Sequence, residues 1–279
     1  MRGRGNRKAS GWRSLGALAA GLVFALPLLL LVSGSLRPAG SPPPPTPELV
    51  PDPASTDSYS TAIDLGGLTQ ATAVSLLVAA IAVPVSVLVA SWAGFAMTRV
   101  SRRVSALLVG ASLVALMVPI TALLVPRFAL YRVLGLTDTL MPLVLPALVA
   151  TSPFYVLVYY VAFRAVPRDL YDASLLADVS PLRMWWRVAM PLVRPVTVAV
   201  AALVFVLTWS NFLEPLVYVY DRDLFTVPLA LRSLSTLDPT DYSVFLAGAV
   251  LASIPALVLF GVAQRRFLHE YRGPGWLGR

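Results

Sequence analysis

Residues 164–195 read RAVPRDLYDASLLADVSPLRMWWRVAMPLVRP and form the one long polar interruption in the C-terminal two-thirds of a very apolar chain. The segment carries five arginines and three aspartates. Charged side chains are costly inside a bilayer. We therefore interpret this segment as a loop between membrane helices, and the rest of the chain is organised around it.

Prolines and capping residues divide this segment into two short helices, predicted over residues 168–178 and 181–189. Pro167 suits a first helical turn, where its missing N–H costs nothing. Ser180 followed by Pro181 is a second start signal, with a side-chain acceptor at the N-cap and proline at the next position. Pro191 is expected to end the second helix.

The second helix is predicted to be amphipathic. The residues expected on its apolar face follow the i, i+3, i+4, i+7 pattern and are Leu182, Trp185, Trp186 and Ala189. Arg183 and Arg187 are expected on the opposite face. Tryptophan beside arginine is typical of a helix lying on lipid headgroups or of one that fills a groove in a partner protein.

Beyond this segment, the composition indicates a membrane protein. The chain has 279 residues, of which 57% are apolar and 13% charged, and its mean hydropathy is +0.76. A bilayer-spanning helix needs about 20 apolar residues. Six runs without any Asp, Glu, Lys or Arg meet this length, at residues 14–36, 65–98, 104–126, 139–163, 195–213 and 242–264. The predicted fold is an all-α, polytopic membrane protein with six transmembrane helices.

The division of the chain follows from these runs. It consists of an N-terminal segment (1–13), a first transmembrane helix (14–36), a Pro-rich linker (37–64), a five-helix core (65–264) that contains the central loop (164–194), and a tail (265–279). We interpret the first helix as retained rather than as a cleaved signal peptide, because no clear small-x-small site precedes the linker. The linker is expected to be an extended, loose connector.

The arginines predict the orientation. With both termini and the central loop in the cytoplasm, 17 of the 22 basic residues lie inside. This asymmetry explains the net charge of +8 and leaves no basic face for nucleic acid. The linker is then extracytoplasmic.

Catalytic and cofactor chemistry finds little support in the sequence. The chain has no cysteine and a single His269 without a nearby ligand partner, so we predict no metal site and no catalytic residue. Lys8 is the only lysine, and no phosphate-binding Gly-x-x-x-x-Gly-Lys motif occurs. The glycines Gly273, Gly275 and Gly278 lack a preceding strand, so we predict no cofactor there.

The central loop resembles the cytoplasmic signature loop of permease subunits in binding-protein-dependent ABC importers. In that family the loop reads roughly Glu-Ala-Ala, three residues, Gly, about nine residues, and an aliphatic-x-Leu-Pro. Here Asp172-Ala173-Ser174 stands at the first motif, Asp178 at the glycine and Val188-Ala189-Met190-Pro191 at the last. Asp178 is expected to adopt the left-handed conformation that the glycine supplies.

Two further stretches resemble the carbohydrate-uptake branch, in particular the second permease subunit of maltose-type importers. Gly135, Leu136, Thr137 and Thr139 match its Leu-Gly-Leu segment between the third and fourth spans. In a Trp-Asn-acid-Phe-Leu-x-Pro-Leu pattern after the fifth span, the matching residues are Trp209, Phe212, Leu213, Pro215 and Leu216, whereas Ser210 and Asn211 stand at the Asn and acidic positions.

The resemblance implies a transport subunit without an ATPase site of its own, located in a bacterial plasma (inner) membrane. It implies a second homologous permease subunit, a cytoplasmic ATPase dimer that binds ATP and Mg, an extracytoplasmic solute-binding protein and a sugar as substrate. The residues expected to couple to the ATPase are Asp172, Ala173, Ser174, Asp178, Leu182, Trp185, Trp186 and Pro191. Trp185 and Trp186 would bury apolar area against it, and Asp172 would make a polar contact.

Ser210, Asn211 and Glu214 are candidates for the solute path or an outer gate, although polar residues also occur at the outer ends of ordinary helices. Ion-coupled carriers usually need ionisable residues inside the membrane, and all six predicted spans lack them. An uncharged path suits a neutral, hydroxyl-rich solute. A permease for another small polar solute, and a channel or facilitator, remain the alternatives.

Overall fold

The computed structural model describes residues 5–149, 151–237 and 241–270, and the regular secondary structure in these ranges is helical. The α-helices are α1 (Gly5–Ser35), α2 (Asp57–Gly66), α3 (Leu68–Met97), α4 (Arg102–Leu116), α5 (Leu124–Val133), α6 (Met141–Val149), α7 (Pro153–Ala165), α8 (Arg168–Leu176), α9 (Pro181–Arg183), α10 (Met190–Leu192), α11 (Arg194–Trp209), α12 (Leu213–Tyr218), α13 (Val227–Leu237) and α14 (Tyr242–Glu270). Met184–Ala189 is a π-helix, and two 3₁₀ turns lie at Ile120–Leu123 and Arg222–Leu224. The all-α prediction is confirmed.

Four stretches of the described chain are long and apolar enough to cross a membrane. They are Gly16–Ser35, Leu68–Met97, Met141–Ala165 and Tyr242–Val262. Two bent helix pairs bring the number to six when each pair is counted as one span. The prediction of six spans is therefore confirmed in number.

The third and fifth spans differ from the predicted runs at residues 104–126 and 195–213. In the third, α4 ends at Leu116 and the chain turns by 84° before Ile120–Val133. Pro119 has no N–H to continue the helix, and it disfavours helical geometry at Val118. In the fifth, α11 ends at Trp209 rather than at 213, and it is bent by 86° from Pro181–Leu192.

The chain divides into two compact units, of which the smaller consists of Met1–Thr69 and Ala230–Ile254. Its Pro-rich segment is fastened rather than loose, because the Arg37 guanidinium pairs with the Glu48 carboxylate at 2.6 Å and the Ser243 hydroxyl donates to the Pro38 carbonyl at 2.9 Å. Asp57–Gly66 is a helix within the predicted linker. The expectation of a loose connector over 37–64 is therefore wrong, since side chains satisfy the backbone groups that prolines leave open.

The larger unit consists of Gln70–Leu229 and Pro255–Arg279. Its core joins α3, α7 and α11 to the central loop through Ala90, Phe95, Tyr159, Phe163, Val166, Tyr171, Met184, Trp185, Ala189, Val193, Val200 and Val204. Helix α3 crosses α7 at Gly94, where a Cβ atom would lie 2.7 Å from Tyr159 Cβ and 2.8 Å from the Val156 carbonyl oxygen. Only glycine permits this approach of the two backbones.

Replacing Gly94 with alanine is expected to destabilise the protein by about 1–3 kcal/mol, because backbone cannot move aside cheaply. Gly110→Ala in α4 is the matched control, since a Cβ atom there meets nothing within 4 Å. Helix propensity alone makes that control neutral or slightly stabilising. Thermal unfolding of both variants in detergent measures the difference, and equal melting temperatures would contradict the close packing of α3 on α7.

Candidate functional site

The first helix of the central loop, α8, runs from Arg168 to Leu176. Pro167 is the N-cap of this helix, one position before the first turn in which it was predicted to lie. Asp178 has φ of +52°, its N–H bonds to the Leu175 carbonyl, and the Val179 N–H bonds to the Ser174 carbonyl. This pair of bonds is a Schellman motif. The left-handed conformation expected of Asp178 is therefore confirmed.

The second loop helix begins at Pro181 after Ser180, as predicted, although the Ser180 side chain makes no capping bond. It becomes a π-helix over Met184–Ala189. Trp185 is 5% exposed, whereas Trp186 is 62% exposed. The predicted single apolar face is wrong, because two of its four members are buried and two are exposed. The residues that share the buried side are Met184, Trp185, Ala189 and Val193, whereas Leu182 and Trp186 are exposed.

Pro191 was predicted to end this helix, and it does not. The helical path continues through α10 to Leu192, and the break lies at Val193. Pro191 occupies the first turn of α10, where it needs no hydrogen-bonded N–H.

Most of the residues predicted to couple to an ATPase lie on the exposed side of the loop. These are Asp172, Ala173, Asp178, Leu182, Trp186 and Pro191. Ser174 is buried, and its hydroxyl donates to the Leu170 carbonyl at 2.7 Å. Trp185 is also buried and stacks on Trp92, with ring centroids 6.2 Å apart. Neither of these two side chains is presented to a partner by this structure.

Two exposed leucines of the loop were missed by the sequence reasoning. Leu175 and Leu176 are 59% and 91% exposed on α8. We call the four exposed apolar residues of the loop the loop patch: Leu175, Leu176, Leu182 and Trp186. A pair of leucines at the end of an otherwise polar helix was the available signal.

A cavity of about 780 Å³ lies within the larger unit. Its walls come from α3 (Ser75, Ala82, Ser86), the bend after α4, the stretch between α6 and α7, and the end of α11. All three predicted path residues, Ser210, Asn211 and Glu214, line it. The structure therefore brings these candidates to a cavity, in addition to placing them at a helix end.

An ion pair lies in the wall of this cavity. Arg127 Nη1 is 3.0 Å from Glu214 Oε1, and the two side chains are 20% and 12% exposed. Asn211 Nδ2 donates to Glu214 Oε2 at 2.6 Å. The uncharged spans had suggested a path without ionisable groups. The cavity wall instead holds an ion pair whose two charges neutralise each other. Sequence reasoning missed Arg127, since nothing in the pattern links it to a residue 87 positions away.

The ion pair belongs to a wider connection between residues 124–138, which comprise α5 and the turn after it, and the segment that follows α11. Tyr131 packs edge-on against Tyr218, with centroids 5.2 Å apart. The Asp138 carboxylate accepts hydrogen bonds from the N–H groups of Tyr220 and Asp221 at 2.9 and 2.8 Å. These N–H groups lower the pKa of Asp138. The two segments are thus held together by ionic, aromatic and backbone contacts.

Among the described residues, no three His, Cys, Asp or Glu side chains come together in a way that could hold a metal ion. His269 lies in α14, and the predicted glycine tail lies outside the described residues. The candidate site therefore consists of a solute-sized cavity and a loop with exposed apolar residues, both in the same unit.

The chain matches the model of a known protein family. The model of the family described as "binding-protein-dependent transport system inner membrane component" matches residues 82–272. This range includes the central loop and most of the cavity wall. The chain belongs to this family.

Relatives within this inner membrane component family include transporters of disaccharides. Over 269 residues, the chain is 29% identical to the trehalose transport system permease protein of Mycobacterium tuberculosis, covering 95% of this chain and 96% of the relative. It is also 29% identical over 199 residues to the lactose transport system permease protein of Rhizobium radiobacter, covering 71% and 72% of the two chains.

A solved structure supports the fold. A chain of a bacterial ABC transporter involved in the import of the acidic polysaccharide alginate superposes with a TM-score of 0.75. The two sequences are 17% identical, and the superposition covers 96% of this chain and 99% of the alginate transporter chain. The helical fold of an importer subunit is thus shown, and the chain is a multi-pass inner membrane component.

Proposed function

We propose that this chain is a permease subunit of an ATP-driven importer that carries a sugar, either a mono- or oligosaccharide or a glycoside, across the bacterial plasma membrane. The observation that carries the proposal is the family membership together with relatives named for lactose and trehalose transport. A cavity of about 780 Å³ falls in the size range of small-molecule sites. The pairing of Arg127 with Glu214 leaves its wall without net charge, which suits a neutral solute.

The partners are a second, similar permease subunit, a cytoplasmic ATPase dimer and an extracytoplasmic solute-binding protein. ATP and Mg bind to the ATPase, and this chain contributes no catalytic residue. The apolar helices contact membrane lipid, and no nucleic acid is involved. Closure of the ATPase dimer would displace the central loop as a rigid body and switch the cavity between outward-open and inward-open states.

The loop patch supports a docking role for the central loop. Leu175, Leu176, Leu182 and Trp186 are exposed, and Asp172 lies nearby on α8 as a polar contact. Exposed aromatic and aliphatic side chains provide the anchors on which protein interfaces depend. Trp185 takes no direct part and supports the patch from beneath, with its ring centroid 5.6 Å from that of Trp186.

Both termini and the central loop face the cytoplasm in this proposal. Arg99, at the end of α3, contacts Tyr171 of the loop, which supports a common side for the basic turn 99–103 and the basic loop. Clustered arginine on one side is the pattern that the positive-inside rule describes.

Co-purification in mild detergent, followed by reconstitution, tests the proposal. We expect an ATPase and a second membrane subunit to accompany the chain, and the assembled liposomes to take up a sugar only with ATP and a solute-binding protein. Trehalose, lactose and larger oligosaccharides are compared with amino acids. Uptake of an amino acid alone would favour the other polar-solute permease, and solute flux from this chain alone without nucleotide would favour the channel.

A further inference from the structure

Arg99 is a single side chain that contacts three separate segments. It lies two residues beyond the end of α3. Its guanidinium carbon is 4.1 Å from the centre of the Tyr171 ring in α8 and 4.9 Å from that of Phe95 in α3. Its Nη2 donates to Met184 Sδ in the π-helix at 2.9 Å. A cation over two aromatic faces is attracted by both rings.

These contacts fasten the central loop to a helix that is distant from it in sequence. The loop is covalently joined to α7 and α11, but its side chains pack on α3. Trp185 stacks on Trp92 of α3, and the ring centroids of Tyr171 and Phe95 of α3 are 6.1 Å apart. The Tyr171 hydroxyl additionally donates to the Phe163 carbonyl at 3.1 Å. Both helical parts of the loop are thus held against the end of α3.

Helix α3 also forms a wall of the cavity. Ser75, Ala82 and Ser86 of α3 line it. The helix is continuous over 30 residues, or about 45 Å. One continuous helix, with Pro84 in its interior, therefore connects the contacts of the loop at one end with the cavity wall farther along.

We propose that Arg99 is a positioning residue that fastens the central loop to α3, so that displacement of the loop moves the cavity wall through this helix. The inference rests on the proposed function, because it needs an ATPase to move the loop. A planar guanidinium suits the role, since it can lie over aromatic rings and donate from its edge at once. Lysine would keep the charge without the planar guanidinium, whereas glutamine would lose the charge and keep only a shorter planar amide donor.

The test measures ATP hydrolysis and solute uptake in the same liposomes that contain the assembled importer. Arg99→Gln is expected to lower uptake per ATP about two- to fivefold, which corresponds to the loss of a cation–aromatic contact at an exposed side chain. Arg99→Lys should restore part of the ratio. Arg102→Gln and Arg103→Gln are matched controls, because these exposed arginines lie on the same turn. ATPase co-purification should be unchanged in all four variants.

A covalent replacement of the contact provides a second readout. The chain has no cysteine, so Arg99→Cys with Tyr171→Cys introduces the only two thiols of this subunit. Uptake per ATP should be low in this double variant and should rise when a flexible bifunctional thiol reagent joins the two positions. Joined thiols that leave the ratio low would overturn the proposal even if Arg99→Gln fails to assemble.

The outcomes separate this inference from the proposed function. A wild-type complex without ATP-dependent uptake would refute both. An active wild-type complex with a normal ratio in Arg99→Gln, or with an equal loss in Arg102→Gln, would refute the role of Arg99 alone.

Discussion

Trp185→Ala is expected to destabilise the protein by about 3–5 kcal/mol, the usual cost of removing a large aromatic side chain from a packed core. Trp185 is 5% exposed and packs on Trp92 and Trp186. Its loss would leave a cavity between the central loop and α3. Unfolding by heat or by SDS in mixed micelles measures the change.

Trp186→Ala is the matched control, since it makes the same chemical change at the neighbouring position. Trp186 is 62% exposed, so we expect a stability change within about 0.5 kcal/mol but a marked loss of ATPase co-purification. The opposite pattern, with Trp185→Ala stable and unable to recruit the ATPase, would show that Trp185 is the docking residue.

Glu214→Leu is expected to cost about 2–3 kcal/mol, because it leaves the Arg127 guanidinium without its carboxylate in the cavity wall. The value is below that of a fully buried pair, since the side chains are 12% and 20% exposed. The double variant Arg127→Leu/Glu214→Leu should recover much of the loss, because no unpaired charge remains.

Glu48→Leu is the control for this effect. It removes the partner of Arg37 in an ion pair of which the side chains are 19% and 40% exposed, and such pairs contribute about 0–1 kcal/mol. Equilibrium unfolding of these three variants and of the wild type in one detergent gives the comparison. If the double variant were less stable than Glu214→Leu alone, Arg127 would have another role in the wall.

The length of the apolar runs predicted the membrane helices well where no proline lies at a critical position. The second run, at 65–98, became α3, and the last, at 242–264, became the larger part of α14. The third run contains Pro119, and hydropathy alone does not distinguish a helix from a helix followed by a sharp bend. The bend at Val193 is marked by Pro195 in the first turn of α11, whereas Pro191 precedes the bend and is accommodated in α10.

The loop residues show where the pattern of a regular helix misleads. The spacing of Leu182, Trp185 and Trp186 fits a 3.6-residue period, but Trp185 is buried and the other two are exposed, in a loop helix that is π-helical over Met184–Ala189. A π-helix leaves no mark in a single sequence. Asp178 was predictable, because its left-handed turn depends on local chemistry and not on distant contacts.

The cavity could be predicted only in part. Asn211 and Glu214 are close in sequence, and the end of the fifth span drew attention to them. Arg127 contacts Glu214, which is 87 positions away in the sequence, and Arg99 contacts Met184, which is 85 positions away. Contacts of this kind arise from the packing of helices and are not encoded in any local period.

The two bent pairs have a consequence for the surrounding lipid. Helix α4 has 15 residues and α11 has 16, so they extend about 22 and 24 Å along their axes. The acyl region of a typical bilayer is about 30 Å thick. Hydrophobic mismatch of this size is met by local thinning of the leaflets beside these helices, by another protein surface that covers the remaining depth or, at α4, by the bent segment Ile120–Val133 that continues the span.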